Sequence, residues 1–120
     1  MAAHRPLVAS VLAVCSWLVS ACTGATAAAI DAYDQGRYPE ALAALRRLEQ
    51  ARGAAIASDT RYTLYRGLTE LALGNAARAH VWLSAAKEGL ARDPEALDRF
   101  DRGRLEAAWR TLGKMPAQLR

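Results

Sequence analysis

One seven-residue phrase returns three times along this chain. It reads "GRYPEAL" at 36–42, "GNAARAH" at 74–80 and "GKMPAQL" at 113–119. The leading glycines fall at 36, 74 and 113, so the spacings are 38 and 39 residues. A near-constant period in this range constrains the fold strongly. Each unit must be a small supersecondary piece that buries its apolar face against its neighbours. Composition says which kind of piece. The 120 residues are 52% hydrophobic and only 7% aromatic, with alanine and leucine dominant. Ala, Leu, Arg and Glu are strong helix formers. The units are therefore helical hairpins, and the fold class is all-α.

The punctuation supports this reading. A weakly amphipathic helix is expected over 28–35, broken by Gly36. Pro39 sits where a first helical turn tolerates proline. Leu42, Leu45 and Leu48, with Ala41 and Ala44 beside them, then form one apolar stripe. Gly53 is a natural stop. Ser58 or Asp59 can cap the next helix, which is expected to run to Leu73. Gly74-Asn75 breaks the chain again. Residues 76–88 carry Ala79, Trp82, Leu83 and Ala86 on one face, and Gly89 ends them. Asp93-Pro94-Glu95 offers cap, proline and acid in the order that starts a helix. That last helix is expected to reach Leu112 and stop at Gly113. Its apolar side would be Leu97, Phe100, Leu105, Ala108, Trp109 and Leu112, with Gly103 a weak point where it could bend or divide. The result is a stack of antiparallel helical hairpins over 28–113, about two and a half repeats, followed by a tail at 114–120.

The chain begins differently. "MAAHR" is short and ends in a base, and residues 7–19, "LVASVLAVCSWLV", are an uncharged apolar run. Thirteen residues cannot span a bilayer, which takes about 20. A basic start, a short apolar core and small residues after it describe a secretory signal peptide. Val19-Ser20-Ala21-Cys22 resembles a bacterial lipobox. That resemblance implies a signal peptide at 1–21, cleavage before Cys22, diacylglycerol on its thiol, and a lipidated tether at 22–27. Two or three acyl chains anchor stably where one is marginal. Thr23, where an aspartate would favour inner-membrane retention, implies an outer-membrane lipoprotein facing the periplasm. Cys15 is a passive member of the apolar core, so a bridge to Cys22 is not expected. The rival is cleavage after Ala25-Thr26-Ala27, which would release a soluble periplasmic protein.

Residues 65–94, "YRGLTELALGNAARAHVWLSAAKEGLARDP", resemble one full tetratricopeptide repeat. Gly67 stands where the first helix needs a small residue, Leu73-Gly74 at the turn, Ala79 at the second-helix crossing, and Asp93-Pro94 at the end. "YDQGRYPEALAALRRL" at 33–48 resembles the turn and second helix of an earlier repeat. Two departures concern charge. Glu70 replaces an aromatic and Arg66 an apolar residue, and at four apart the two could pair on the surface. The link at 53–59 is also longer than the family's. The resemblance implies that the first helix of each repeat lines a groove for an extended peptide. Tyr33, Arg61, Tyr62 and Tyr65 fall on those helices and are the groove residues it implies. Core packing for the tyrosines, and solvent for Arg61, is the plainer alternative.

Nothing in the sequence composes a reaction centre. Beyond the leader there is one histidine, His80, in mid-helix, and no cysteine after Cys22 to build a zinc site. The glycines stand apart as helix punctuation, so no phosphate loop is present. Ser58 and Ser84 lack the strand-turn-helix context of a nucleophile. No catalytic residue, metal or cofactor is expected. The net charge is +4, or +3 once Arg5 leaves with the leader. Its densest bases, Arg46-Arg47 and Arg99, Arg102 and Arg104, are interleaved with acids, which argues against nucleic acid. The expected role is non-catalytic docking of a peptide or helix from an envelope protein, as an accessory factor in assembly, pilus or secretion systems. The alternative is a self-associating structural subunit.

Overall fold

In a computed structural model of the chain, residues 24–120 are described. The leader at 1–21 and the lipidation candidate Cys22 lie outside the described residues. Helix α1 occupies 24–34, α2 Tyr38–Arg52, α3 Thr60–Ala72, α4 Ala76–Arg92 and α5 Arg99–Lys114. A six-residue 3₁₀ segment, Gly53–Ser58, joins α2 to α3, and a short one, Ala117–Leu119, follows α5. The described residues contain no strand, so the all-α class is correct.

Local chemistry explains most of the boundaries. Gly36, Gly53 and Gly74 end their helices with φ of 75°, 67° and 83°, a left-handed conformation that costs glycine little. Asp59 caps α3 by accepting from the Tyr62 N–H at 3.1 Å. Asp98 caps α5 in the same way, accepting from the Asp101 N–H at 2.8 Å. Pro39 lies in the first turn of α2, as its missing N–H requires.

Four expectations are corrected. Residues 24–27 of the expected tether are already helical in α1, as their alanines favour, and Ala25 packs on the core. Gly89 does not end α4, which continues to Arg92. A Cβ at Gly89 would lie 2.2 Å from the Thr60 hydroxyl oxygen, so glycine is there to let α4 meet the start of α3. Asp93-Pro94-Glu95 forms a turn, with Asp93 accepting from the Glu95 N–H, and α5 begins at Arg99. Helix α5 then runs unbroken through Gly103 and Gly113 to Lys114.

The late start of α5 sets its phase. Its buried stripe is Asp101, Leu105, Ala108 and Leu112, at helical spacing. Phe100 is one residue, about 100° of rotation, off that stripe. It is 63% exposed rather than core.

Helix α3 is the centre. It packs most extensively on α4, and also against α2, α5 and the 3₁₀ link. Residues 62–70 are therefore all buried. At its crossing with α4, a Cβ on Gly67 would sit 2.6 Å from Leu83 Cγ. Ala79, Leu83 and Ala86 on the facing side of α4 are fully buried. The polar side chains of so enclosed a helix must bond locally. Thr63 donates to the Thr60 carbonyl at 2.9 Å and Thr69 to the Tyr65 carbonyl at 2.7 Å. Among the described residues, no helix is long and apolar enough to cross a membrane.

Candidate functional site

Two polar assemblies leave α3 on opposite sides. The first faces α2 and α4. Tyr62, 1% exposed, donates its hydroxyl proton to the Leu45 carbonyl on α2 at 3.0 Å and meets Trp82 of α4 edge-on at 5.7 Å. Arg66 donates to the Tyr62 oxygen at 3.0 Å, to Glu49 of α2 at 2.7 Å and to Glu70 at 3.4 Å. It also lies over the Trp82 ring, 5.0 Å from its centroid. Glu70 accepts a second bond, from the Asn75 side chain, at 2.7 Å. The Arg66–Glu70 pair expected on the surface is thus inside, at 6% and 0% exposure. It is inside because α2 and α4 cover both flanks of α3. Burial opposes the Arg66 charge, but the bonds to Glu49 and Tyr62 outweigh it and raise the guanidinium pKa. This assembly is a structural knot, and Tyr62 belongs to it rather than to any groove.

The second assembly joins α1, α3 and α5. Tyr65 of α3, 2% exposed, donates to Asp101 of α5 at 2.6 Å. Asp101 is itself buried and also accepts from Arg61 at 3.3 Å. Arg104, one turn along α5, donates to Asp34 of α1 at 2.7 Å and to the Tyr65 oxygen at 3.3 Å. Tyr33 of α1 meets Tyr65 edge-on at 5.7 Å and Tyr38 at 5.4 Å. The Arg104 guanidinium lies over three rings: 5.3 Å from Tyr33, 5.7 Å from Tyr65 and 4.5 Å from the exposed Phe100. Burial, reinforced by Asp101, pushes the Tyr65 phenol far above its ordinary pKa of 10.0. Burial raises Tyr33 as well.

This cluster borders open space. A groove of about 280 Å³ lies between α3 and α5, lined by Tyr33, Leu68, Leu71, Ala72, Arg104 and Ala107, among others. A shallow depression of about 580 Å³ continues along α5 past Phe100, Gly103 and Ala107. Arg104 and Ala107 belong to both. Of the four residues named from the sequence, Tyr33, Tyr65 and Arg61 come together here, and Tyr62 does not. Only Tyr33 lines the groove, while Tyr65 braces it from below and Arg61 stands at its edge, with a half-exposed side chain.

Asp34, Phe100, Asp101 and Arg104 complete the cluster and were not among the groove residues named from sequence. One signal for Asp101 was available. It lies four residues before Leu105 on the buried stripe, and three after a capping Asp98. An acid in that place must find a buried donor.

The face holds aromatic rings, guanidinium groups bonded to Asp34 and Asp101, and an apolar floor. His80 is exposed and stacks near Trp109 at 5.3 Å, with no acid or nucleophile among the described residues bonded to it. Among the described residues no group of His, Cys, Asp and Glu is placed to hold a metal ion. Comparison of the chain with protein-family models, with curated proteins and with solved structures found no match.

Proposed function

We propose that this chain is a non-catalytic docking module held at the bacterial envelope. The face built by α1, α3 and α5 receives a peptide or helix of a partner protein. The observation that carries this reading is Phe100. A large aromatic ring stands 63% exposed beside a groove whose floor is apolar, and Arg104 is fixed over it by Asp34. Exposed aromatic and arginine side chains held rigid are the typical anchors of an interface.

The helical order fits a tetratricopeptide-like stack, with α1–α2 and α3–α4 as hairpins and α5 beginning a third. Three features support it. Gly67 and Ala79 are small at the α3–α4 crossing. The odd-numbered helices share the cluster at Tyr65. Helices α2 and α4 meet α3 from its other side. Anchoring rests on the lipobox at Val19–Cys22. Acyl chains on Cys22 would hold the domain beside the outer membrane and raise its effective concentration toward partners there. Release after Ala27 is the rival outcome.

Intact-mass measurement of the protein extracted from cells tests the anchor. The expected mass is that of residues 22–120 plus acyl chains, with Cys22→Ala unprocessed. A mass matching a chain that starts at Ala28, with no lipid, overturns the anchor. It leaves the docking face to be tested on its own.

A further inference from the structure

Helix α5 stands where α3 stands one repeat earlier. Helix α3 packs on α2 before it and then folds back against α4, its most extensive contact. Helix α5 packs on α4 and α3 in the same way, and among the described residues the one element after it is the short 3₁₀ turn Ala117–Leu119. The residues after α5 cover only one end of this face: Met115 packs on the core, and Arg120 lies with His80 and Trp109 around a small cleft. Ala117–Leu119 buries no residue, and no residue of the tail lines the stretch toward Leu90. What remains is an open apolar groove of about 560 Å³ between α4 and α5. Leu90 and Leu105 line it beside Trp109, with Lys87, Glu106 and Arg110 at its rim.

The molecule shows what such a position holds. The helix seated on α3 is α4, and its inward face is Ala76, Ala79, Leu83 and Ala86, all buried. Small residues at that spacing let two helices approach closely. The rim supplies the charge. Lys87 and Arg110 are exposed, Lys87 lies 4.3 Å from the centre of the Trp109 ring, and neither forms an ion pair. The ion pairs of the described residues use Arg37, Arg52, Arg61, Arg66 and Arg104 instead. Two of the three rim charges are thus cations without a carboxylate.

We infer that the α4–α5 groove is a second docking site, distinct from the α1–α3–α5 face. It takes an amphipathic helix of a partner protein, with alanine and leucine along its apolar side and acids on its flanks. The helix would complete α5 as α4 completes α3.

The test uses the full chain purified from cells in mild detergent and two labelled 17-residue peptides, read by fluorescence anisotropy. One has the sequence of α4, Ala76–Arg92. The other is the same peptide with Arg78→Glu, Lys87→Glu and Arg92→Glu. The acidic peptide is expected to bind about three- to tenfold tighter than its basic parent, as one or two exposed ion pairs allow. In the Lys87→Glu/Arg110→Glu protein, both changes being on exposed side chains, the preference is expected to invert. Phe100→Ala is expected to leave both affinities unchanged. The inference is overturned if neither peptide binds, if the double reversal leaves the preference as it was, or if Phe100→Ala abolishes binding. It is equally overturned if light scattering shows a dimer that the double reversal dissolves, since a second copy would then be the occupant.

Discussion

Tyr65 donates its hydroxyl proton to Asp101 over 2.6 Å, and both residues are at most 2% exposed. They are 36 residues apart in sequence, so one hydrogen bond ties the central helix to the last. The same carboxylate receives Arg61, and the same phenol oxygen receives Arg104. The α1–α3–α5 face is therefore held by a bond network beneath it as well as by apolar packing.

Tyr65→Phe keeps the ring and removes the donor. Asp101 is then left buried with Arg61 as its remaining side-chain donor. A hydrogen bond to a charged group contributes about 1.5–3 kcal/mol. Urea unfolding followed by circular dichroism is expected to show a loss of about that size with an unchanged slope. An unchanged midpoint would mean the bond contributes nothing to the fold.

The knot on the other side of α3 responds to charge. Removing one partner of a buried ion pair costs about 3–5 kcal/mol, because the other is stranded. Arg66→Ala leaves Glu70 fully buried with only Asn75, and leaves Glu49 alone at the α2 edge. It is expected to destabilise by about that amount. Arg66→Met with Glu70→Leu removes both charges and is expected to recover much of the loss. A double change as damaging as the single one would contradict a pairing role.

Alkaline pH is expected to unfold the domain. Burial raises the pKa values of Tyr33, Tyr62 and Tyr65 above 10.0. Between the ordinary phenol range and these higher values the folded state keeps protons that the unfolded chain has lost. Stability is therefore full below about pH 10 and falls as pH rises beyond it. Absorbance of the phenolates near 295 nm is expected to lag that of free tyrosine and then rise together with loss of helical signal. Ionisation of all four tyrosines near pH 10 with the helices intact would contradict this.

The helical class and the apolar stripes of α2 and α4 were legible because period and glycine punctuation are local properties. Gly36, Gly53 and Gly74 each need a left-handed backbone, and each ended a helix as expected. Gly89 misled because its reason is tertiary: only the approach of Thr60 makes a side chain impossible there. Asp93-Pro94 misled because two capping acids compete, and Asp98 is the one whose helix places Leu105 and Leu112 inward. Arg66 and Glu70 were correctly paired by their spacing and wrongly placed. No local pattern reveals that a helix carrying both charges is covered on both flanks. For the face, Tyr33, Arg61 and Tyr65 were within reach of the repeat reading. Asp34, Asp101 and Arg104 join it only because α1 and α5 meet beside α3, which is a long-range fact.

The proposed docking role of the α1–α3–α5 face is tested most directly by site-specific photo-crosslinking in intact cells. A photoreactive residue at position 100 is compared with one at position 46, an exposed site on α2. The expected result is a discrete adduct from position 100, absent from position 46, and weakened when Arg104→Glu reverses the charge beside it. Equal adducts from both positions, or none from position 100, would contradict the account.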